Sequence, residues 1–218
     1  MSERGVTIVK LGGSLAGSSR LAGWLDRLAA CKGAVVVVPG GGPFADTVRR
    51  AQTGMGFDDS VAHHLALLAM EQFGRALVNG RPRFVMASTA EAIRAALVAG
   101  LMPVWAPAEM ALAAADIPAS WDVTSDSLAA WLAGRLGAER LLLVKHGHFA
   151  AARLQVTDLI RQGLVDAAMP RYLGASRIPA FIVGADDAGI TGDAIGQGSV
   201  IGALVALHDA AVQRLETS

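Results

Sequence analysis

Short apolar runs alternate along this chain with longer segments in which apolar residues recur every three or four positions. The short runs predict six strands, at residues 6–11, 34–38, 84–87, 102–105, 141–145 and 180–183. Each is nearly continuous in apolar residues, which is typical of parallel strands that are covered on both faces.

The segments with a period of three to four residues predict the helices. They lie at residues 21–30, 44–51, 58–78, 89–98, 108–114, 125–136 and 204–215. Pro43 suits the first turn of the second helix, and Asp58 or Asp59 is the expected N-cap of the third. Strands that alternate with helices indicate an α/β fold in one unit, with a mostly parallel sheet and helices on both faces.

Composition narrows the class of protein. Of the 218 residues, 53% are hydrophobic and 17% are charged, which excludes intrinsic disorder. Lys plus Arg and Asp plus Glu both number 19, so no basic excess favours binding to nucleic acid or to an anionic membrane. No apolar run is long enough to cross a bilayer, no targeting segment is visible, and the single cysteine, Cys31, fits a reducing compartment. We therefore expect a cytoplasmic protein with a small-molecule partner.

The end of the first predicted strand carries the first chemical signal. It reads Lys10-Leu11-Gly12-Gly13-Ser14, in which backbone amides and a hydroxyl can form an anion-binding concavity beside a lysine. Ligands of open α/β sheets bind at the carboxyl ends of strands. A tight turn with an incidental lysine is the competing interpretation.

A second glycine-rich turn, Gly40-Gly41-Gly42, follows the second predicted strand and precedes Pro43 and a helix. Amides at a helix N-terminus bind phosphate or carboxylate, whereas three glycines are entropically costly in a mere connection. Neither turn has the spacing of a Walker A or dinucleotide-binding motif.

Two further segments add charge. Thr124 or Ser125 can cap the helix that begins there, and Asp126 lies in its first turn, where an acid could simply complement the helix dipole. The fifth predicted strand, residues 141–145, ends in Lys145.

The order and spacing of these four elements resemble the amino acid kinase superfamily over nearly the whole chain. The resemblance implies a three-layer αβα sandwich of the carbamate kinase type, in one domain spanning residues 1–218. The N-terminal part of that domain would bind the acceptor and the C-terminal part the nucleotide. It also implies ATP and Mg²⁺ as cofactors, phosphoryl transfer to a small acidic acceptor, and no metal ligands from the chain itself.

By motif match, the resemblance assigns roles residue by residue. Lys10 would contact the transferring phosphoryl group and Asp126 would orient Lys10. The ATP phosphates would meet Gly12, Gly13 and Ser14, and Gly41 and Gly42 would hold the acceptor. Beyond the motif match, we expect Lys145 and His146 at the nucleotide, in a stretch where several relatives carry an acidic residue instead. We also expect Gly40, Thr124 and Trp121 at the acceptor. His146 could equally be a solvated loop residue. Trp121 and Trp105 could line an acceptor pocket, but core packing is equally open for each.

The run from Trp121 to Ser127 and the segment at residues 165–170 look most like one branch, the aminomethylfuran phosphate kinases of methanofuran biosynthesis. Their acceptor is already a phosphate monoester, so the product would be a diphosphate. The alternatives are a uridylate or isopentenyl phosphate kinase and a non-catalytic nucleotide-binding or storage protein of the same fold.

One departure from the family pattern keeps these alternatives open. Many members carry a second catalytic lysine in a Gly-Gly-Met-x-x-Lys segment, whereas residues 167–172 of this chain contain none. Lys145 or Arg171 is the expected replacement. His63 and His64 lie on the long predicted helix and are expected to have a structural or interface role, because further metal ligands at helical spacing are missing. The apolar character of that helix on several sides predicts a homodimer or larger homo-oligomer.

Overall fold

The structure is a computed structural model that describes residues 5–189, 194–195, 199 and 202–207. An eight-stranded sheet has the order β3-β4-β2-β1-β5-β7-β8-β6, and only β7 and β8 pair antiparallel. The strands are β1 (Thr7–Leu11), β2 (Val35–Pro39), β3 (Phe84–Ala87), β4 (Met102–Trp105), β5 (Arg140–Lys145), β6 (Arg153–Gln155), β7 (Ala180–Gly184) and β8 (Ala203–Ala206). The predicted α/β fold with a mostly parallel sheet is confirmed.

Helices cover both faces of this sheet. They are α1 (Ser19–Ala30), α2 (Gly42–Met55), α3 (Asp59–Val78), α4 (Ala90–Val98), α5 (Ala108–Leu112), α6 (Ser125–Leu136), α7 (Val156–Arg161) and α8 (Met169–Ser176). Short 3-10 turns follow β1 and β7, at Gly13–Leu15 and Ala185–Asp187. The expected cap of α3 is present, since the Asp58 carboxylate accepts a hydrogen bond from the Val61 amide at 2.9 Å.

Two hydrophobic cores flank the central strands. In β2, Val36 and Val38 face the core beneath α6, whereas Val35 and Val37 face the core beneath α1. Strand side chains point alternately to opposite faces, so a continuous run of valines fills both cores at once. This explains why the apolar runs identified these strands correctly.

The chain departs from prediction towards its C-terminus. Residues 203–206 form β8 instead of the start of the predicted helix at 204–215, of which residues 208–215 lie outside the described part. Pairing of β8 with both β6 and β7 outweighs the helical propensity of its alanines and leucine. The short elements β6, α7 and α8 were not predicted, because so few residues show no clear period.

The topology brings three strand ends together. β1 lies between β2 and β5, and Lys10 is in register with Val38 of β2 and Leu143 of β5. The turn after Leu11, the Gly40–Gly42 turn and Lys145 therefore meet at one edge of the sheet. None of the described helices is both long and apolar enough to span a membrane.

Candidate active site

The two glycine-rich turns pack directly against each other. A side chain at Gly13 would overlap the backbone nitrogen of Gly42, and one at Gly40 would overlap that of Gly13. Gly42 also has a φ of +55°, a conformation that residues with side chains rarely adopt. The glycines thus allow two backbones to approach closely at the carboxyl ends of β1 and β2, and α2 begins at this contact.

Beside these turns, one buried carboxylate lies between two lysines. The Asp126 Oδ1 is 2.9 Å from Lys10 Nζ, and its Oδ2 accepts a hydrogen bond from Lys145 Nζ at 2.8 Å. The side chains of Lys10, Asp126 and Lys145 are 4%, 6% and 12% exposed. We call these three residues the lysine–aspartate cluster. The strand ends of β1 and β5 supply the lysines, and the first turn of α6 supplies the carboxylate.

The charges within the cluster shift the pKa of Asp126 and the pKa of Lys145. Burial raises the pKa of Asp126, but the two ammonium groups outweigh burial and hold that pKa below its usual range. Burial, together with repulsion from Lys10, lowers the pKa of Lys145 to about 8, although Asp126 opposes this shift. Two cations around one anion leave a net positive charge at the sheet edge, which suits a phosphate.

The helix that carries Asp126 is fixed by a residue that the sequence did not single out as functional. The Asp166 carboxylate accepts hydrogen bonds from the backbone amides of Thr124 at 2.9 Å and of Ser127 at 3.0 Å. It also accepts from the hydroxyls of Thr124 and Ser127. A carboxylate at a helix N-terminus satisfies free amides and complements the dipole. Thr124 is the N-cap residue, as expected, but its own hydroxyl donates to Asp166 instead of capping the helix.

A cavity of about 360 Å³ opens beside the glycine turns and extends between α2, α3 and the start of α6. Its wall includes Gly13, Ser14, Gly41, Gly42, Asp46, Arg49, His63, Leu67, Met70, Trp121, Thr124, Ser125 and Leu128. Five of the residues expected at phosphates or acceptor from the sequence therefore share one cavity with Trp121. Arg49 was missed, because nothing about one arginine on a polar helix distinguishes it from a solvated one.

Arg49 and Trp121 form one side of this cavity together. The guanidinium of Arg49 lies 4.1 Å from the centre of the Trp121 ring, and the indole N–H donates to Gln52 at 2.7 Å. Trp105, in contrast, is fully buried and stacks on Trp131 with ring centres 6.1 Å apart, so it is a core residue.

Comparison with known proteins shows which family the chain belongs to. The sequence profile described as "Amino acid kinase family" matches residues 5–147. The chain belongs to the amino acid kinase family. It is 24% identical over 188 residues to the [5-(aminomethyl)furan-3-yl]methyl phosphate kinase of Methanocaldococcus jannaschii, which covers 81% of this chain and 86% of that protein.

Solved structures agree with the family on the fold. Uridylate kinase from Archaeoglobus fulgidus superposes with a TM-score of 0.69 at 14% identity, covering 93% of this chain and 100% of that one. UMP kinase from Ureaplasma parvum gives 0.69 at 16% identity, with 94% and 97% covered. Membership of the amino acid kinase family makes the protein a phosphotransferase.

The structure places the remaining expected residues of this kinase as follows. His146 lies beside the first glycine turn, with Nε2 3.0 Å from the Ser14 carbonyl oxygen. Arg171 lies on α8, with its guanidinium 5.3 Å from the Tyr172 ring centre, and within the described part of the chain it forms no ion pair with the lysine–aspartate cluster. His63 is buried in the cavity wall, where burial and then the neighbouring His64 lower its pKa.

A second cavity, of about 320 Å³, lies beyond the end of β5. Its wall includes His148, Phe149, Leu154, Asp158 and Leu159. These wall residues follow β5 in the chain, and Lys145 of the lysine–aspartate cluster ends that strand. None of them lines the cavity at the glycine turns.

Proposed function

We propose that this kinase transfers the γ-phosphoryl group of ATP to an acceptor that already bears a phosphate, and that the acceptor is aminomethylfuran phosphate. The observation that carries the proposal is the lysine–aspartate cluster, whose Asp126 directly follows Ser125 in the wall of the cavity of about 360 Å³. The named activity of the M. jannaschii relative supports the choice of acceptor. We further propose the division of one domain into an acceptor-binding N-terminal part and a nucleotide-binding C-terminal part.

The reaction needs positioning and positive charge more than covalent help from the protein. An oxygen of the acceptor phosphate attacks the γ-phosphorus of ATP and forms a new P–O bond. The bond from the γ-phosphorus to the bridging oxygen breaks, and its electron pair leaves with ADP. The acceptor becomes a diphosphate, and no oxidant or further reactant is required.

Each part of the site has a task in this scheme. Lys10 and Lys145 stabilise charge on the transferring group and the ATP phosphates, and Asp126 holds both ammonium groups in place. The amides of Gly12 and Gly13 and the hydroxyl of Ser14 meet the ATP phosphates. Gly40, Gly41 and Gly42, at the start of α2, bind the acceptor phosphate, while Thr124 and Trp121 contact the acceptor.

The nucleotide would extend from the cluster past His146 towards the second cavity, where Phe149 offers an aromatic surface to a base. Mg²⁺ would enter with ATP. The described residues contain no group of three or more His, Cys, Asp or Glu that could hold a metal ion. Mg²⁺ needs few protein ligands when phosphates and water supply the rest, so the ion would be held mainly by the nucleotide.

The proposal is tested by ADP release with a panel of phosphomonoesters and Mg²⁺. We expect the highest kcat/KM with aminomethylfuran phosphate and a diphosphate product in ³¹P NMR spectra. Faster turnover of UMP or isopentenyl phosphate would transfer the assignment to those acceptors; the uridylate kinase neighbours make UMP the first to include. ATP binding without turnover of any phosphomonoester would favour the non-catalytic interpretation.

A further inference from the structure

Asp46 is an unexpected group in a cavity that takes a phosphate. It lies on α2, and of the described residues that line this cavity it alone carries a carboxylate. A carboxylate repels a dianionic acceptor phosphate, so its presence needs a reason other than binding that phosphate.

The Asp46 carboxylate has no cationic partner within the described residues. Arg50, four positions further along α2, donates to the Thr47 hydroxyl at 3.0 Å, and Arg49, three positions further, would be the other helical partner. Its guanidinium instead lies 4.1 Å from the Trp121 ring centre, and Gln52 holds that ring through its indole N–H at 2.7 Å. The carboxylate of Asp46 is therefore open to a ligand.

The position of Asp46 along α2 separates it from the reacting end of the cavity. It lies one turn, about 6 Å of helix rise, beyond Gly42, where the two glycine turns meet. Apolar side chains of Leu67, Met70 and Leu128 line the same cavity. An acceptor with its phosphate at the glycine turns would lay a small apolar body along these side chains and direct its other end towards Asp46.

We propose that Asp46 is a specificity-determining residue that binds a protonated amine on the acceptor. The substrate class is then a phosphomonoester with a primary ammonium group separated from the phosphate by a small apolar body. This inference rests on the proposed function, because it takes the cavity to be the acceptor site. An amine-binding role for Asp46 explains why this cavity attracts a phosphate at the glycine turns and yet carries a negative charge one helical turn away.

The experiment compares aminomethylfuran phosphate with its analogue in which methyl replaces aminomethyl. The wild type, Asp46→Asn and the control Asp26→Asn, an exposed acid on α1 outside the cavity, are assayed for kcat/KM. We expect the wild type to prefer the amine at least tenfold. Asp46→Asn should lose that preference through a higher KM for the amine, whereas kcat/KM for the methyl analogue should not fall and should rise if the carboxylate repels its phosphate.

Two outcomes would overturn the inference. An equal loss of kcat/KM for both acceptors in Asp46→Asn would assign the carboxylate to a structural role. If added Mg²⁺ restored that loss, the carboxylate would be assigned to a metal. An undiminished amine preference in that variant would show that another group binds the amine.

Calorimetry of acceptor binding separates this inference from the proposed function. If neither acceptor is turned over, an amine preference in binding that Asp46→Asn abolishes would support Asp46 and refute the kinase assignment for these acceptors. Failure of the wild type to bind either acceptor, or binding of both with equal affinity, would refute the role of Asp46.

Discussion

Asp126 neutralises only part of the charge around it, because one buried carboxylate faces two buried ammonium groups. Burying charges is unfavourable unless each has a partner, so the three groups depend on one another. The remaining positive charge is available to phosphates. A site of this kind gains a further counterion when its substrate binds.

Lys10→Ala should abolish turnover and leave the fold intact. A single electrostatic donor of this kind contributes roughly 3–4 kcal/mol to the transition state, or a factor of at least about 100 in rate. The control is Lys32→Ala, which removes an exposed lysine remote from the cluster. Steady-state rates and thermal melting of both variants provide the measurement, and a Lys10 variant that keeps more than about a tenth of the wild-type rate would contradict the role.

The lowered pKa of Lys145 predicts an alkaline loss of activity. Lys145 is charged below its pKa of about 8 and neutral above it, so kcat/KM should fall as the pH rises through about 8. Arginine stays protonated throughout this range, so Lys145→Arg should extend the active range to higher pH even if its plateau is lower. Identical alkaline limbs in the two pH profiles would assign the loss to another group.

At the scale of elements, the N-terminus of α6 decides whether the cluster can form. Asp166 accepts from two backbone amides and two hydroxyls of the first turn, and Asp126 lies between the residues that it binds. The segment before α8 thereby fixes a carboxylate that acts on the strand ends of β1 and β5.

Asp166→Asn should therefore lower both stability and rate. Loss of charge-assisted hydrogen bonds to buried donors costs about 1–3 kcal/mol. We expect a lower melting temperature and a lower kcat, with a smaller effect on the KM for ATP. Asp122→Asn, an exposed acid close by in sequence, is the control. A lower melting temperature with an unchanged kcat would limit Asp166 to a structural role.

Whether Lys145 or Arg171 supplies the second cation depends on the element that carries each residue. Lys145 ends a strand held by neighbours on both sides, whereas Arg171 lies on a helix and stacks on Tyr172. We expect Lys145→Met to reduce kcat at least about tenfold, a loss of roughly 1.4 kcal/mol in transition-state binding, and Arg171→Met to remain within about twofold of the wild type. Full turnover in both variants would mean that Lys10 and Mg²⁺ suffice.

At the scale of the whole molecule, α3 presents an apolar stripe to solvent. Val61, Leu65 and Leu68 are 45%, 37% and 37% exposed, and their spacing places them on one side of the helix. The opposite side packs into both cores through Leu67, Met70, Phe73 and Leu77. The homo-oligomer expected from the sequence thus stays a prediction, with this stripe as its candidate interface.

Sedimentation at micromolar concentration should show a species of at least twice the mass of one chain. The double variant Leu65→Glu and Leu68→Glu should sediment as a monomer, because charges in an apolar interface are costly to bury. Val98→Glu, which alters an 81% exposed residue on α4, should leave the assembly unchanged. A wild type that sediments only as a monomer would contradict the prediction.

The sequence by itself determined the central strands, the long helices and the lysines and glycines that meet at the sheet edge. Runs such as Val35 to Val38 are buried on both faces, and helices such as α1 keep a clear period, with Trp24, Leu25 and Leu28 on its buried side, so both signals are local in the chain. Lys10 and Lys145 meet because β1 and β5 are parallel neighbours in the sheet, so their carboxyl ends lie side by side.

Only the tertiary structure decided the features that depend on distant segments. Asp166 binds residues about forty positions away, and Arg49 meets Trp121 from another element, so no local period marks either residue. β8 is a strand because two neighbouring strands pair with it, against the preference of its own side chains for a helix. Local propensity amounts to fractions of a kcal/mol per residue, and contacts made in the folded chain exceed it.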